Sequence, residues 1–290
     1  MKYSEFHTKN DERLLSLQEF DCGAKEKLPL LQFPLLDETE IVKDAFTTRE
    51  GGVSEGIFES LNLSFTRGDD PDAVKENYRR VAAAFGKDLT DIVCSDQTHT
   101  TNVRRVDRSY GGYGVTKERP YTDVDGLVTN EPGLILATFY ADCVPLYFVD
   151  PVHKAIGLSH SGWRGTVARM GQATLDKMKA EFGTNPADVY AAIGPSICQD
   201  CYEVSEDVAD AFKEAFAGHE DAILIDKGNG KYQLDLWKAN EIVMLDAGVK
   251  MEHLAVTNLC TCCNERLLFS HRASKGKRGN LGAFLMLKDA

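Results

Sequence analysis

The sequence lacks the features of exported and membrane-spanning proteins. No apolar run reaches the roughly 18 residues that a membrane-spanning helix needs, because Tyr140, Asp142 and His153 interrupt the longest ones. The N-terminus contains Glu5 and Asp11 and has neither the basic start nor the apolar core of a signal peptide. We therefore expect a cytoplasmic protein that makes no use of a membrane.

Positive charge is also scarce, since 33 Lys and Arg residues face 45 Asp and Glu residues and the formal net charge is −12. Repulsion from phosphate groups then disfavours binding to nucleic acid. The chain has no internal repeat, no long linker and no glycine-rich dinucleotide loop after a strand. We predict one catalytic domain over residues 31–290, preceded by a polar extension over residues 1–30. The oligomeric state does not follow from the sequence.

The hydrophobic pattern predicts a mixture of helices and strands. Helices are expected to begin near Asp70, Ser205 and Asp235, and a fourth is expected over residues 166–182. Apolar, β-branched segments predict strands at 124–128, 134–138, 145–149, 155–159, 189–193, 254–256 and 281–287. Because helices and strands do not alternate regularly, the pattern favours an α/β (α+β) layered sandwich with mixed β-sheets flanked by helices.

Three metal-binding side chains stand in turns beside predicted strands. His99 ends a Gln-Thr-His segment, Cys143 lies in Ala-Asp-Cys-Val-Pro, and His160 opens His-Ser-Gly-Trp-Arg-Gly. Two imidazoles and one thiolate suit Zn²⁺ and leave a fourth position for water or substrate. Asp125 and Asp142 are candidates for a general acid or base, although capping a turn is an equally good interpretation of each.

A basic stretch, residues 272–279, contains four cations and two glycines in an otherwise acidic chain. Arginine binds phosphate in a bidentate manner, and glycine lets backbone amides approach an anion. The stretch, including Arg272, is therefore a candidate phosphate site, with a solvated surface loop as the alternative. Arg164 and Arg49 are further candidates.

Eight cysteines in a chain without an export signal are expected to be reduced thiols. Cys198-x-x-Cys201 has the spacing of a zinc ribbon, whereas Cys260-Thr261-Cys262-Cys263 is crowded for such a site. A four-thiolate zinc site is one interpretation, and packed or redox-sensitive thiols are the interpretation that we favour.

Five segments in order carry a family resemblance. They are Asp-Gly-Leu-Val-Thr from Asp125, Ala-Asp-Cys-Val-Pro, His-Ser-Gly-Trp-Arg-Gly, Ile-Gly-Pro-Ser-Ile with a following Tyr-Glu-Val, and Phe-Ser-His-Arg. Together they resemble the multicopper polyphenol oxidase, or laccase-domain, family, which is better described as purine nucleoside phosphorylases. The likeness extends from Phe46 to Leu287 and implies a single layered domain.

The resemblance also implies a site and an activity. It matches His99, Cys143 and His160 to the family's zinc ligands, so that Cys143 is a ligand and not a free nucleophile. It implies cleavage of adenosine, inosine, guanosine or methylthioadenosine with phosphate, and deamination of adenosine. Residues expected to contact the nucleoside or phosphate are Arg49, Asn62, Arg164 and Arg272.

Three other functions compete with this one. A copper-dependent phenol oxidase needs His-x-His pairs, and the seven histidines of the chain form none. A cysteine or zinc amide hydrolase that edits cell-wall peptidoglycan would use Cys143 as nucleophile and His160 or His99 as base. A protein that only binds its ligand is the third. The zinc deaminase signature, His-x-Glu with Pro-Cys-x-x-Cys, is absent, so a deaminase reaction here would need a different arrangement of metal ligands and catalytic residues.

Overall fold

Two six-stranded sheets lie face to face in the computed structural model, which describes residues 1–289. Over those residues the strands are β1 Ser16–Phe20, β2 Leu28–Gln32, β3 Val42–Thr47, β4 Ile92–Cys94, β5 Val103–Arg105, β6 Gly126–Thr129, β7 Ile135–Tyr140, β8 Val144–Asp150, β9 Ala155–Ser161, β10 Tyr190–Ile193, β11 Glu203–Ser205, β12 Leu224–Gly228, β13 Lys231–Leu234, β14 Leu254–Val256 and β15 Leu281–Leu287. The helices are α1 Pro34–Asp37, α2 Pro71–Ala84, α3 Trp163–Val167, α4 Met170–Phe182, α5 Glu206–Ala215, α6 Glu220–Ile223 and α7 Leu236–Asp246.

Both large sheets are mixed. The first has the order β1-β2-β3-β15-β7-β4, with a parallel pair only at β4 and β7. The second has the order β14-β10-β8-β9-β6-β5, with parallel pairs at its two edges. A small third sheet joins β11, β13 and β12. The sequence prediction of mixed sheets is confirmed.

Three apolar cores hold the layers together. The largest fills the space between the two large sheets, with Phe46 and Leu285 from the first sheet and Tyr147 and Leu158 from the second. A second core packs α4, α5 and α7 against the outer face of the second sheet. A third packs α2 against the first sheet. Helices therefore cover both outer faces of a sheet sandwich, which confirms the predicted fold class.

The helix predictions were accurate except in one place. Asp70 caps α2 by accepting a hydrogen bond from the backbone N–H of Asp72 at 3.0 Å, and Asp235 caps α7 in the same way. The single helix predicted over 166–182 is two helices, α3 and α4. The chain turns between them at Arg169, whose φ is +60°. The guanidinium of Arg169 donates a hydrogen bond to the Asp246 carboxylate at 2.7 Å.

The first 30 residues take part in the fold. The strand β1 lies at the edge of the first sheet beside β2, which runs across the predicted boundary at residue 30. Phe6 and Leu15 are buried in the largest core. The division into an extension and a domain stays a prediction. No helix within residues 1–289 is long and apolar enough to cross a membrane.

Candidate active site and metal centre

Three ligand side chains that are distant in sequence meet at one end of the sandwich. His160 lies on β9 and is paired with Pro145 of β8, which begins directly after Cys143. His99 lies in the loop that follows β4. The potential ligand atoms of His99, Cys143 and His160 all lie within 4.8 Å of one another. The structure therefore brings together the three residues that the sequence analysis named as zinc ligands.

Asp125 organises this site. Its carboxylate accepts hydrogen bonds from the backbone N–H groups of Thr98, His99 and Thr100 at 2.9, 3.1 and 3.0 Å. It also lies 2.8 Å from Nδ1 of His160. One fully buried carboxylate thus fixes both the histidine loop and the histidine on β9. His99 has a φ of +68°, a strained conformation for a residue with a side chain, and these bonds hold it there.

The electrostatics of the site favour a thiolate. Burial raises the pKa of Cys143, but the neighbouring imidazoles of His160 and His99 outweigh this and lower the pKa to about 6. Burial lowers the pKa of His160, whereas the Cys143 sulfur and the Asp125 carboxylate raise it and prevail. A thiolate is the form of cysteine that binds metals and acts as a nucleophile.

The donor set fits a metal ion. Two imidazoles and a thiolate are the ligand types that zinc prefers, and His160 has the Nδ1 partner that orients a ligating histidine. Gly162 closes the site, because a Cβ at this position would lie 2.9 Å from Cδ2 of His99 and 3.3 Å from Sγ of Cys143. Only glycine lets the backbone approach the ligands this closely.

Asp142 has a structural task. Its carboxylate accepts hydrogen bonds from the Thr261 hydroxyl and from the backbone N–H of Arg272, both at 2.7 Å. Asp142 has a φ of +89°. The carboxylate therefore ties the turn that carries Cys143 to two loops from the C-terminal part of the chain. This arrangement matches the capping interpretation of Asp142.

The ligands line a pocket of about 860 Å³, a size typical of small-molecule sites. His99, Cys143 and His160 form part of its wall. Three arginines contribute to the rest of the lining: Arg67, Arg119 and Arg278. A metal-binding set and several cations thus face one cavity.

Arg278 is the most buried of these cations, with 9% of its surface exposed. Burial and the neighbouring charge of Arg67 lower its pKa to about 10, so that it remains charged at neutral pH. Its guanidinium contacts Asn280 and donates to the carbonyl of Gly279, while its Nε has no partner within residues 1–289. A buried arginine with a free N–H at a pocket wall is suited to bind an anion.

The predicted substrate residues lie outside the lining of this pocket. Arg272 donates to the carbonyls of Cys201 and Glu203, at 3.1 and 3.0 Å, and lies over the ring of Tyr202. Arg164 lies over the ring of Trp163, which is half-buried and is also absent from the lining.

The other two predicted substrate residues are engaged with neighbouring backbone. Arg49 donates to two backbone carbonyls and lines a neighbouring cavity of about 320 Å³, to which Arg278 also contributes. Asn62 is buried and accepts hydrogen bonds from the backbone N–H groups of Ser64 and Asn280. The substrate-binding roles of all four residues stay predictions.

Arg67 and Arg119 are not among the residues predicted from the sequence. Arg119 pairs with the Asp96 carboxylate at 2.6 Å and donates to the carbonyl of Ser95. Arg278 lies within the basic stretch that the sequence analysis proposed for phosphate. The signal that could have found Arg67 is its closeness in sequence to Asn62, an expected substrate contact.

The fold and the site define a class: a mixed-sheet α/β sandwich in which a His-Cys-His set suited to a metal ion and a buried arginine line one pocket. A family model described as multi-copper polyphenol oxidoreductase laccase matches residues 43–288. The chain belongs to this family.

Curated relatives and a solved structure are similar over most of their length. A purine nucleoside phosphorylase, YlmD, from Bacillus subtilis (strain 168) is 39% identical over 84% of this chain and 88% of the relative. An adenosine deaminase, RL5, from an unknown prokaryotic organism is 34% identical over 84% of this chain and 94% of its own. The crystal structure of the hypothetical protein YfiH from Bacillus licheniformis matches with a TM-score of 0.86 and 35% identity, over 93% of this chain and 99% of that one. These similarities support an enzyme of this family.

Proposed function

We propose that the protein is a zinc-dependent purine nucleoside phosphorylase that cleaves adenosine, inosine, guanosine or methylthioadenosine with phosphate. One observation carries the proposal: the His-Cys-His set and the buried Arg278 line the same pocket. The similarity to a protein named purine nucleoside phosphorylase supports the substrate class. The eight free cysteines fit a reducing compartment, so we assign the enzyme to the cytoplasm.

The metal would be held by His99, Cys143 and His160. Zinc bound there supplies a Lewis acid that polarises an oxygen or nitrogen of the ligand beside it. Asp125 can accept a hydrogen bond from Nδ1–H of His160, which would leave the Nε2 lone pair free to bind the metal. Because Asp125 also holds the backbone of the His99 loop, one carboxylate positions both histidines.

Arginines in the pocket are suited to bind phosphate. Arg278 is buried, charged and has a free Nε, and Arg67 lies close enough to lower its pKa. A dianionic phosphate relieves this repulsion between like charges, so its binding is favoured electrostatically. In the reaction, phosphate attacks C1′ of the ribose while the bond to the purine breaks, and the same cations hold the phosphate in position.

An aromatic surface is available for the purine. Phe65 stacks on Tyr78 with a centroid distance of 5.5 Å and an angle of 3° between the rings. Tyr78 is buried, whereas Phe65 is 36% exposed and lines the pocket. The outer face of Phe65 can therefore stack on a base.

Adenosine deamination is a second activity of the same pocket in this proposal. It is favoured by the similarity to the protein named adenosine deaminase RL5. It requires no phosphate, so product analysis separates it from phosphorolysis.

A cysteine hydrolase is the other candidate, because Asp125, His160 and Cys143 are arranged like the orienting carboxylate, the base and the nucleophile of such enzymes. The second imidazole, His99, favours metal binding instead. A nucleophilic cysteine needs one base. Here two imidazoles lie beside the Cys143 sulfur, an arrangement that suits a metal site.

The experiment is to incubate metal-analysed protein with adenosine or inosine, with and without phosphate, and to separate the products by chromatography. We expect ribose 1-phosphate and free base only when phosphate is present, and inosine from adenosine without it. The matched control is Cys143→Ala, which should lose the pocket zinc and turnover together. The proposal would be contradicted if the wild type turned over none of these substrates and if the wild type and Cys143→Ala contained the same amount of zinc.

A further inference from the structure

A second group of cysteines converges outside the active site. The sulfurs of Cys198, Cys201, Cys260 and Cys263 all lie within 4.8 Å of one another. All four are free thiols, and none of them lines the active-site pocket. We call this group the four-cysteine cluster.

The fold builds this cluster from two similar turns. The parallel strands β10 and β14 lie side by side, and the chain beyond each continues the pairing through a bridge between Ser196 and Cys260. Each continuation then carries two cysteines separated by two residues. The structure thus resolves the crowded second motif into Cys260-x-x-Cys263, with Cys262 outside the cluster.

Backbone donors and a lysine lie beside the cluster. The sulfur of Cys260 is fully buried and accepts hydrogen bonds from the backbone N–H groups of Cys198 and Cys263, at 3.3 and 3.4 Å. Backbone N–H groups directed at a sulfur stabilise its anionic form. The ammonium of Lys9 lies beside Cys198 and donates to Asp200 at 2.9 Å. The cluster therefore has backbone donors on one sulfur and a cation, itself paired with Asp200, beside another.

The spacing suits zinc. Four ligands at a Zn–S distance of about 2.3 Å in a tetrahedron place the sulfurs about 3.8 Å apart. The sulfurs of Cys201 and Cys263 are 3.5 Å apart, whereas a disulfide would require about 2.05 Å. Four thiolates with no open position are typical of structural zinc sites.

We propose that Cys198, Cys201, Cys260 and Cys263 bind a structural zinc ion that is separate from the zinc of the active site. Its effect is to join the chain after β10 to the chain after β14. The N-terminal segment is attached to the same place, because the backbone N–H of Lys9 donates to the carbonyl of Asn258 at 3.0 Å.

The same two turns support the active site. The backbone N–H of Ile197 donates to the carbonyl of Asp142 at 3.0 Å, and the Thr261 hydroxyl donates to the Asp142 carboxylate at 2.7 Å. Asp142 directly precedes Cys143. A zinc ion that fixes these turns therefore fixes the backbone on which the Cys143 sulfur is carried.

The test is metal analysis of the purified full-length chain by inductively coupled plasma mass spectrometry. We expect two zinc ions per chain in the wild type and one in the Cys198→Ser, Cys201→Ser double variant. The matched control is Cys262→Ser, in the same turn but outside the cluster, which should keep both ions. Thermal unfolding should show the double variant melting about 5–10 °C lower than this control.

The decisive variant is Cys143→Ala, because it removes a ligand of the pocket site and leaves the four-cysteine cluster intact. It can be tested even where the double variant does not fold. We expect one zinc ion in it, surrounded by four sulfur atoms in X-ray absorption at the zinc edge. No metal in this variant, iron instead of zinc, nitrogen or oxygen ligands, or a disulfide detected after alkylation of the unfolded chain would overturn the proposal. None of these readouts depends on nucleoside turnover, so the proposed function can fail independently.

Discussion

The His-Cys-His site and the four-cysteine cluster use related ligands in opposite ways. The first site offers three ligands, one of them the exposed His99, on the wall of a large pocket. The second site offers four sulfurs, two of them from buried residues, and none of the four cysteines lines that pocket. Three protein ligands leave a position for chemistry, whereas four complete a tetrahedron. On the two proposals made above, the ligand count divides the sites into one for reaction and one for stability.

The supports of the two sites differ as well. A buried carboxylate, Asp125, supports the first site through three hydrogen bonds from the backbone of the His99 loop and one contact with Nδ1 of His160. Backbone N–H groups perform this task at the second site through the sulfur of Cys260. Side-chain support can be removed by a single substitution, and backbone support cannot. We therefore expect the first site to be the more sensitive to mutation beyond its own ligands.

The largest effect is expected from His160→Ala. Removing this ligand leaves the Asp125 carboxylate buried without its imidazole and leaves two ligands for the metal. We expect loss of the pocket zinc and a decrease in phosphorolysis of about 10³-fold or more, with the zinc of the four-cysteine cluster retained. Metal analysis and steady-state kinetics measure both quantities.

The matched control for this variant is His153→Ala. His153 also pairs with a buried aspartate, Asp150, at 2.8 Å, but lies outside the pocket lining. It should keep both zinc ions and full turnover. Full occupancy of the pocket site in His160→Ala would show that the ligand assignment is wrong and would remove the contrast between the two sites.

The second prediction concerns Asp125→Asn. The amide keeps the shape of the side chain but loses the charge that holds His160 and the His99 loop. We expect zinc affinity and turnover to fall about 10- to 100-fold, the range typical of a changed hydrogen-bond partner of a metal-bound histidine. Competition with a chromogenic chelator measures the affinity. Asp123→Asn is the control, since Asp123 binds Thr98 and Thr100 through their hydroxyls and makes no contact with an imidazole. Equal affinities in the two variants would contradict the role of Asp125.

A smaller effect is expected from Arg278→Ala. Loss of the buried guanidinium should raise the KM for phosphate about tenfold, the value of one hydrogen bond to a charged group, while the nucleoside KM and the metal content stay close to those of the wild type. Arg272→Ala should lower stability and leave the phosphate KM nearly unchanged, because its guanidinium contacts backbone carbonyls. A raised phosphate KM in Arg272→Ala together with an unchanged phosphate KM in Arg278→Ala would instead assign the phosphate site to Arg272.

Much of the fold could be predicted because local patterns determine it. The caps Asp70 and Asp235 and the alternation of apolar segments located helices and strands before any contact was known. The three-residue metal set was also accessible, since each ligand stands in a recognisable turn. Residue chemistry alone predicted it only weakly, and the family resemblance made the assignment specific.

The remainder depends on contacts that sequence spacing does not encode. Cys262 and Cys263 are neighbours in sequence, and only the packing of the two turns decides which of them belongs to the four-cysteine cluster. Arg272 and Arg278 are both cations in one loop, yet one contacts backbone carbonyls and the other lines the pocket. The burial of Phe6 and Leu15 likewise follows from tertiary packing, although the segment around them is polar.

The smallest predicted effect concerns Asp44, which lies far in sequence from both sites. Its titration makes the stability of the whole fold depend on pH, and this dependence must be known before the stabilities of the two sites are compared. Burial raises its pKa to about 8, although the backbone N–H of Phe33 donates to one carboxylate oxygen at 2.9 Å. The other oxygen has no partner within residues 1–289. Since the pKa is higher in the folded state than in the unfolded state, the folded protein binds the extra proton, and stability falls as the pH rises from about 4 to 8.

Asp44→Asn should remove this slope. We expect the Tm of the zinc-saturated wild type to fall between pH 5 and pH 8 by at least about 3 °C more than that of the variant. Asp37→Asn should reduce the slope less, because Asp37 is more exposed than Asp44 although burial also raises its pKa. If the Tm of Asp44→Asn falls with pH as steeply as that of the wild type, other groups cause the slope, with the thiols of the two proposed metal sites first among them. The stabilities of the two sites would then have to be compared at each pH separately.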